Sequence, residues 1–230
     1  MIVSIHQPQY LPWLGYFDKI AQSDLFILLD DVQFKKNEWQ NRNRIRTNGD
    51  WQWLTVPVIH HFGQNIKQTA INNKVNWRDK QLKSLQLNYG KTPYFETYFP
   101  RFRSIIQQDR PFLSDLNIAV IQACLSILKI ETQILISSAF KLQTDKTQRL
   151  IDLCQHVKAD TYLSGTDGPN YMDMDLFAQH QINVMVQKYT HPRYPQGGNI
   201  KDSNFISHLS IIDLLFNCGA NSLNILRNQS

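Results

Sequence analysis

Two groups of polar side chains near the amino terminus have the types and positions that acid–base chemistry requires. His6 directly follows a short β-rich run at residues 2–5, and a histidine at the end of a strand is suited to act as a general base or to hydrogen-bond a phosphate. Asp30 and Asp31 follow the apolar run at residues 25–29, where they can orient an amine, accept its proton or bind a divalent metal. We predict that His6, Asp30 and Asp31 are catalytic, and we predict no metal site because their spacing implies no third ligand.

Each of these residues also has a purely structural interpretation. His6 can cap its own turn by bonding to the backbone. The two aspartates can simply end a strand, since Asp is common at such positions. The sequence alone leaves both interpretations open.

A cationic segment follows the second predicted strand. Residues 33–46 contain five cationic side chains and one acidic side chain. Arg42, Arg44 and Arg46 occupy every second position, so in an extended segment they share one face, where they can clamp a phosphate or a carboxylate. A solvated, charged strand is the alternative.

Two further polar loops are candidates for a binding site. Residues 164–171 contain Ser164 and Gly165, which can donate hydrogen bonds to a phosphate or carbonyl oxygen or can form an ordinary turn. This loop and the loop at residues 6–12 each follow a predicted strand, so we expect them to meet at one edge of a parallel sheet, where open α/β folds bind ligands. Residues 189–196 are polar and aromatic, as in a binding loop or a rigid surface loop.

The order of the predicted elements indicates an α/β fold. The strand at residues 2–5, a helix at 13–21 and the buried strand at 25–29 form a βαβ unit with a right-handed crossover. Later strands alternate with helices of about ten residues, which predicts a mainly parallel sheet with helices on both faces. We predict a single domain over residues 1–230, with residues 76–130 as a helical insertion packed on the sheet.

Other elements have weaker signals. Residues 51–58 alternate as a strand does, with Pro57 at an edge or at the end of the strand. The apolar run at 134–136 predicts a central strand. A helix is expected to begin after a cap at Asp145 or Thr147, and a last helix at 207–218.

Composition narrows the class of protein. An apolar content of 42% excludes a disordered chain, and a formal charge of +5 favours anionic partners such as nucleotides, phosphorylated sugars or nucleic acid. Cys124, Cys154 and Cys218 are far apart in apolar contexts, as expected for reduced, buried thiols. No apolar run approaches the roughly 20 residues of a membrane span. We therefore predict a cytoplasmic protein without membrane insertion.

Four collinear motifs resemble the WbqC-like protein family over essentially the whole chain. The motifs lie at residues 5–17, at 30–34 with 39–43, at 162–165 with Gly168 and Tyr171, and at 191–196. The family occurs in bacterial gene clusters for O-antigen and other surface polysaccharides. The resemblance therefore implies that context, for which transfer of glycine or another aminoacyl group to a sugar has been suggested.

Our predicted substrate-binding residues are taken from these motifs, with Arg44 added from the cationic segment. They are Gln7, Gln9, Tyr10, Trp13, Tyr16, Gln33, Trp39, Asn41, Arg42, Asn43, Arg44, Ser164, Gly165, Tyr171, His191, Tyr194 and Gln196.

A second resemblance is to nucleotidylyl transferases of the HIGH type. Residues 12–16 lie between the first strand and its helix, where those enzymes carry the HxGH signature, and Trp13 and Tyr16 replace its two histidines. This resemblance implies a nucleotide-shaped cleft that lacks the usual adenylyl-transfer histidines.

The leading functional hypothesis is a group transferase that adds an acyl or aminoacyl group to an amino sugar, bound as a sugar nucleotide. In it His6 deprotonates the attacking amine, Asp30 or Asp31 orients the amine, and Arg42 with Arg44 binds diphosphate. The donor is a nucleotide-activated group, acyl-CoA or aminoacyl-tRNA.

Two other classes of function stay open. A non-catalytic protein that binds a sugar nucleotide or a partner of the same pathway would have the same binding residues. RNA binding by residues 35–46 is the least favoured class because the net charge is mild, with tRNA as the nucleic acid that would fit. The sequence does not predict the oligomeric state.

Overall fold

The computed structural model describes residues 1–144, 146–197 and 205–227. In this part of the chain the strands are β1 (Ile2–His6), β2 (Leu25–Leu28), β3 (Arg42–Arg46), β4 (Trp51–Thr55), β5 (Val58–Ile59), β6 (Ala70–Ile71), β7 (Gln133–Ile136), β8 (Thr161–Ser164) and β9 (Asn183–Val186). The helices are α1 (Leu14–Ala21), α2 (Trp77–Tyr89), α3 (Phe95–Gln107), α4 (Leu113–Leu128), α5 (Lys146–His156), α6 (Met174–Gln179), α7 (Ile211–Cys218) and α8 (Ser222–Arg227).

The central sheet has five parallel strands in the order β7-β2-β1-β8-β9 among the described residues. β1 and β8 are neighbours, and Val3 pairs with Tyr162, so the two strands end close together. The loops after His6 and after Ser164 therefore leave the same edge of the sheet, as predicted.

Both faces of the sheet are covered by helices. Along β2, Phe26 and Leu28 belong to one hydrophobic core, and Leu25 and Ile27 to the other, because successive side chains of a strand point to opposite faces. The first core contains buried side chains of α1 to α4 and α7, and the second those of α5 and α6. The predicted parallel α/β fold with helices on both faces is confirmed.

The predicted helical lobe consists of α2, α3 and α4. Pro100 lies inside α3, where proline removes an intrahelical hydrogen bond. Buried Phe95, Phe99 and Phe102 anchor α3 to the core, which offsets this loss.

A separate antiparallel hairpin, β3–β4, carries the cationic segment beside the sheet. Arg42, Arg44 and Arg46 alternate with buried residues in β3, so they lie on one face of the hairpin as predicted. Their opposite partners in β4 are Thr55, Trp53 and Trp51.

Some predicted elements differ from the structure. The run at 134–136 was predicted to be a central strand, but it is an edge strand. Its residues are apolar because helices cover both faces of the sheet, including at this edge. The strand predicted at 51–58 is interrupted at Val56 and Pro57. The last predicted helix begins only at Ile211, after a Ser210 cap. Asp145 lies outside the described residues, and Thr147 lies within α5 rather than capping it.

The three cysteines are buried free thiols, as predicted. None of the helices in the described ranges has the length and hydropathy needed to cross a membrane.

Candidate functional site

The loop after β1 is held by carboxamide side chains from neighbouring elements. The Asn43 amide donates to the carbonyls of Leu11 at 2.7 Å and Tyr10 at 3.3 Å. The Asn117 amide donates to the carbonyls of Pro8 at 3.0 Å and Gln40 at 2.8 Å. These bonds satisfy buried backbone acceptors and fix the loop in place.

His6, at the end of β1, contacts two amine or amide nitrogens. Its Nδ1 lies 2.9 Å from the Lys19 Nζ on α1, and its Nε2 lies 3.3 Å from the Gln9 Nε2. The Tyr16 ring packs beside the imidazole, with 5.0 Å between the ring centres. His6 and Lys19 thus form one hydrogen-bonded pair of nitrogen bases, which we call the His6–Lys19 pair.

The Lys19 side chain is buried, and it has no acidic partner among the described residues. Only 3% of the residue is exposed, and within the described ranges no carboxylate lies at ion-pair distance from its amine. Burial lowers the pKa of Lys19 to about 7. Burial and the charge of Lys19 lower the pKa of His6 well below its usual value. Near neutral pH the imidazole is therefore neutral, and a large share of Lys19 is a free amine.

The charge of Lys19 sets the tautomer of His6. When Lys19 is an ammonium it donates to Nδ1, so the imidazole proton sits on Nε2. When Lys19 is an amine it accepts from Nδ1–H, and Nε2, 3.3 Å from the Gln9 amide nitrogen, is then the unprotonated nitrogen that can take a proton.

Two cavities meet at the His6–Lys19 pair. The first, about 390 Å³, has an aromatic and polar lining, and we call it the aromatic cavity. The second, about 510 Å³, has an aliphatic and cationic lining, and we call it the basic cavity. The residues that line both are His6, Lys19, Gly165 and Tyr171.

The turn after β8 forms one wall of this junction. A side chain at Gly168 would collide with the Ser164 hydroxyl, so the turn requires glycine there. Ser164 is fully buried, and its hydroxyl donates to the Gly165 carbonyl at 2.7 Å. A Cβ at Gly165 would meet nothing within 4 Å, because this residue faces the open junction.

An arginine–tryptophan row runs from the aromatic cavity along the β3–β4 hairpin. The Arg42 guanidinium lies 4.1 Å from the centre of the Trp53 ring. Arg44 lies 5.1 Å from the Trp51 ring and 5.6 Å from the Trp39 ring. Arg44 and Trp39 line the aromatic cavity. Stacking holds these guanidinium groups in fixed orientations, as suits phosphate recognition.

The third arginine of β3 has a different environment. Arg46 donates to Gln196 at 2.8 Å, and Gln196 in turn donates to the Asp213 carboxylate at 2.9 Å. Tyr89 and Tyr194 also donate to Asp213, at 2.9 and 2.8 Å. This network is buried, and burial raises the pKa of Asp213 to about 6. Its members connect β3 to α7.

The two aspartates after β2 are engaged with other elements. The Asp30 carboxylate accepts hydrogen bonds from the backbone and hydroxyl of Ser138, both at 3.0 Å. Asp31 pairs with Arg149 at 3.1 Å, with both side chains 11% exposed. Among the linings described above, Arg149 belongs to the basic cavity, whereas neither aspartate does.

The structure brings together about half of the predicted site residues. Those that line a cavity are His6, Gln7, Gln9, Trp13, Tyr16, Trp39, Arg44, Gly165 and Tyr171. The predicted residues outside both linings are Tyr10, Asp30, Asp31, Gln33, Asn41, Arg42, Asn43, Ser164, His191, Tyr194 and Gln196. For the second group, direct ligand contact stays a prediction.

Several of the second group support the site. Asn43 holds the loop after β1, and Tyr10 donates to Gln81 at 2.5 Å. His191 packs on His208, a wall of the aromatic cavity, with 5.1 Å between ring centres. Gln33 is exposed and forms an isolated bridge with Asn65.

Sequence reasoning missed several lining residues. Lys19 is the most important, and nothing in the sequence distinguishes it from a helix lysine whose amine extends to solvent. Gln187, which follows β9, donates to Asp18 at 2.6 Å and lines the aromatic cavity. Lys35, Lys146 and Arg149 line the basic cavity. They lie outside the family motifs, so the sequence did not distinguish them from ordinary surface cations.

Comparisons with known proteins agree with the motif analysis. The model of the WbqC-like protein family matches residues 7–225. A protein of Mycobacterium tuberculosis described as "Uncharacterized protein Rv1507c" is 38% identical over 231 residues, which cover 98% of this chain and 97% of that protein. No solved structure matches the chain. On the family match and this full-length similarity, the chain belongs to the WbqC-like protein family.

Proposed function

We propose that this protein transfers an acyl or aminoacyl group, such as glycyl, to the amine of an amino sugar carried on a nucleotide, in the synthesis of a surface polysaccharide such as O-antigen. The observation that carries the proposal is the His6–Lys19 pair, buried where two cavities meet. Transfer between two substrates needs a base at the point where the substrates touch. The pair supplies two nitrogen bases at that point.

The pair accounts for removal of the amine proton. With Lys19 as an amine and Nδ1 protonated, the Nε2 of His6 takes the proton that the attacking nitrogen loses. The Nδ1 proton then passes to Lys19 across 2.9 Å, and Lys19 becomes an ammonium. General-base help of this kind contributes typically about 10²–10⁴-fold to the rate.

The aromatic cavity suits the amino sugar nucleotide. Trp39 offers an aromatic face to a sugar ring or a base, and Asp167 offers a carboxylate to a hydroxyl or ammonium group. Trp13 lies between Gly15 and His208 and lines the cavity. The Gln9 Oε1 is buried without a hydrogen-bond partner and is thus an available acceptor. Arg44, with Arg42 next to it along the row, binds the diphosphate.

Asp30 and Asp31 then act as positioning residues. Asp30 ties the end of β2 to the turn after β7 through Ser138. Asp31 orients Arg149 in the wall of the basic cavity. Their effect on the amine is indirect in this arrangement.

The experiment is an acylation assay read by mass spectrometry. UDP-, GDP- and dTDP-linked amino sugars are each mixed with acyl-CoA, an acyl adenylate or aminoacyl-tRNA. His6→Ala should abolish turnover and keep sugar-nucleotide binding, whereas His61→Ala, an exposed histidine away from both linings, should change neither. Unchanged turnover in His6→Ala would exclude His6 as the base.

A binding protein without catalysis is the second candidate. The aromatic cavity alone, with its arginine–tryptophan row, is sufficient to hold a sugar nucleotide. This candidate predicts no product with any donor. It also predicts that His6→Ala and Asp31→Asn alter affinity alone.

A further inference from the structure

We propose that the basic cavity binds the activated acyl donor, a small molecule whose leaving group carries phosphate, such as an acyl-CoA thioester or an acyl adenylate. This inference rests on the proposed function and assigns its second substrate to a place in the molecule.

The charge of the basic cavity indicates an anionic ligand. Lys19, Lys35, Lys146 and Arg149 contribute to its lining, and its described lining residues include no carboxylate. Asp31 neutralises Arg149, and Lys19 is positive only in its ammonium form. The exposed Lys35 and Lys146 keep their charge and have no ion pair among the described residues. Several positive charges around one concave space attract phosphate groups.

Aliphatic side chains form much of the remaining surface of the basic cavity, with the polar groups of Gln7, Thr147 and two tyrosines between them. Ile5, Leu29, Val32, Leu150 and Met172 line it beside the cations. An aliphatic lining is unsuited to the hydroxyl groups of a sugar, since burying them there leaves hydrogen bonds unmade. It suits an acyl chain, a pantetheine arm or the face of an adenine ring.

The two cavities therefore differ in the chemistry they recognise. The aromatic cavity offers Asp167, Gln9 and Gln187, which are hydrogen-bonding groups for a sugar. The basic cavity offers more cations and more aliphatic side chains, and its described lining has Gln7 and Thr147 as neutral polar groups but no carboxylate. With the amino sugar in the first cavity, the second is left for the donor, and its volume of about 510 Å³ fits a nucleotide-sized molecule.

The four residues that line both cavities mark the place where the two substrates would meet. The amine nitrogen from the aromatic cavity attacks the carbonyl carbon presented from the basic cavity, and a C–N bond forms. The C–S bond of a thioester, or the C–O bond of an acyl phosphate, breaks and leaves its electron pair on the departing sulfur or oxygen. The proton released by the nitrogen passes to His6 and then to Lys19, while the cations of the basic cavity hold the phosphates of the leaving group.

The test is calorimetric binding with the intact chain. The probes are coenzyme A and a non-hydrolysable acyl sulfamoyl adenosine for the donor, and UDP-glucosamine for the acceptor. The variant K35Q/K146Q removes two positive charges from the lining. The matched control K36Q/K141Q removes two exposed charges outside both linings, and Lys141, like Lys146, has a left-handed backbone conformation.

We expect K35Q/K146Q to weaken the binding of coenzyme A or the adenylate analogue about tenfold or more, because two charge-assisted contacts are lost. UDP-glucosamine binding should not change, and the control should behave as the wild type with all three probes. Whichever donor probe binds the wild type identifies the leaving group.

Four results would overturn the assignment. In the first, neither donor probe binds the wild type. In the second, the two double variants lose donor binding equally. In the third, K35Q/K146Q weakens UDP-glucosamine instead. Acylation supported only by aminoacyl-tRNA would also overturn it and would leave the proposed function intact. Donor binding in the basic cavity without acylation of any amino sugar would instead count against the proposed function.

Discussion

Replacement of Lys19 by methionine should stabilise the folded chain at neutral pH while it abolishes turnover. The pKa of Lys19 is about 7 instead of the ordinary 10.5, so the folded chain disfavours the ammonium by roughly 5 kcal/mol, at about 1.4 kcal/mol per pH unit. At pH 7 itself, where Lys19 is about half deprotonated, roughly 4 kcal/mol of this remains. Methionine has a similar length and carries no charge. It loses the hydrogen bond to His6, which offsets about 1 kcal/mol, so we expect a net gain of roughly 3 kcal/mol.

The pH dependence gives this prediction its sign. The unfolded chain keeps Lys19 protonated up to about pH 10.5, whereas the folded chain releases the proton near pH 7. Between these values the unfolded state binds more protons, so the contribution of Lys19 to stability rises with pH. The advantage of Lys19→Met should therefore be largest at pH 7 and below, and it should shrink towards pH 10.5.

Urea unfolding followed by circular dichroism at several pH values between 6 and 10 measures this difference. Lys83→Met, at an exposed position of α2, is the matched control and should show no such trend. A Lys19→Met protein that is less stable than the wild type at pH 7, with a difference independent of pH, would refute the reasoning. It would mean that Lys19 is a paired, stabilising cation.

Other substitutions test the rest of the site. Arg44→Met should weaken UDP-amino sugar binding about tenfold by calorimetry and leave donor binding unchanged, since Arg44 lines only the aromatic cavity. Gly165→Leu should fill the junction, so turnover should fall in the acylation assay while the free energy of unfolding stays within about 0.5 kcal/mol. Asn117→Ala leaves the buried carbonyls of Pro8 and Gln40 without their donor and should cost about 1–3 kcal/mol in urea unfolding. An unchanged unfolding midpoint in Asn117→Ala would show that the loop after β1 does not depend on this amide.

The overall fold could be predicted because its signals are local. The apolar runs of β1 and β2, each ended by polar residues, define parallel strands, and parallel strands place their loops at one edge. The loops after β1 and β8 meet at that edge as predicted, with His6 and Gly165 beside each other. The prediction of a central strand at β7 was wrong, because an apolar run of three residues does not tell an edge strand from a central one when helices cover both faces.

The site was harder to predict because its main contact is tertiary. A lysine in an amphipathic helix commonly extends its amine to solvent, and nothing in the sequence shows that the amine of Lys19 meets the imidazole of His6 instead. A residue of a family motif can contact the ligand or can hold another residue in place, and the motif does not show which of these roles it has. Tyr194 and Gln196 belong to a family motif, yet in the structure they hold Asp213.

The arginine–tryptophan row has a practical consequence for spectroscopy. Of the five tryptophans, Trp39, Trp51 and Trp53 contact Arg42 or Arg44, and Trp13 stacks on His208 with 5.3 Å between ring centres. Under the proposed function, a diphosphate bound along this row changes the electric field at these indoles, so we expect the intrinsic fluorescence of the chain to report occupancy of the aromatic cavity. Titrations can thus be followed by emission, without a label and without knowledge of the reaction.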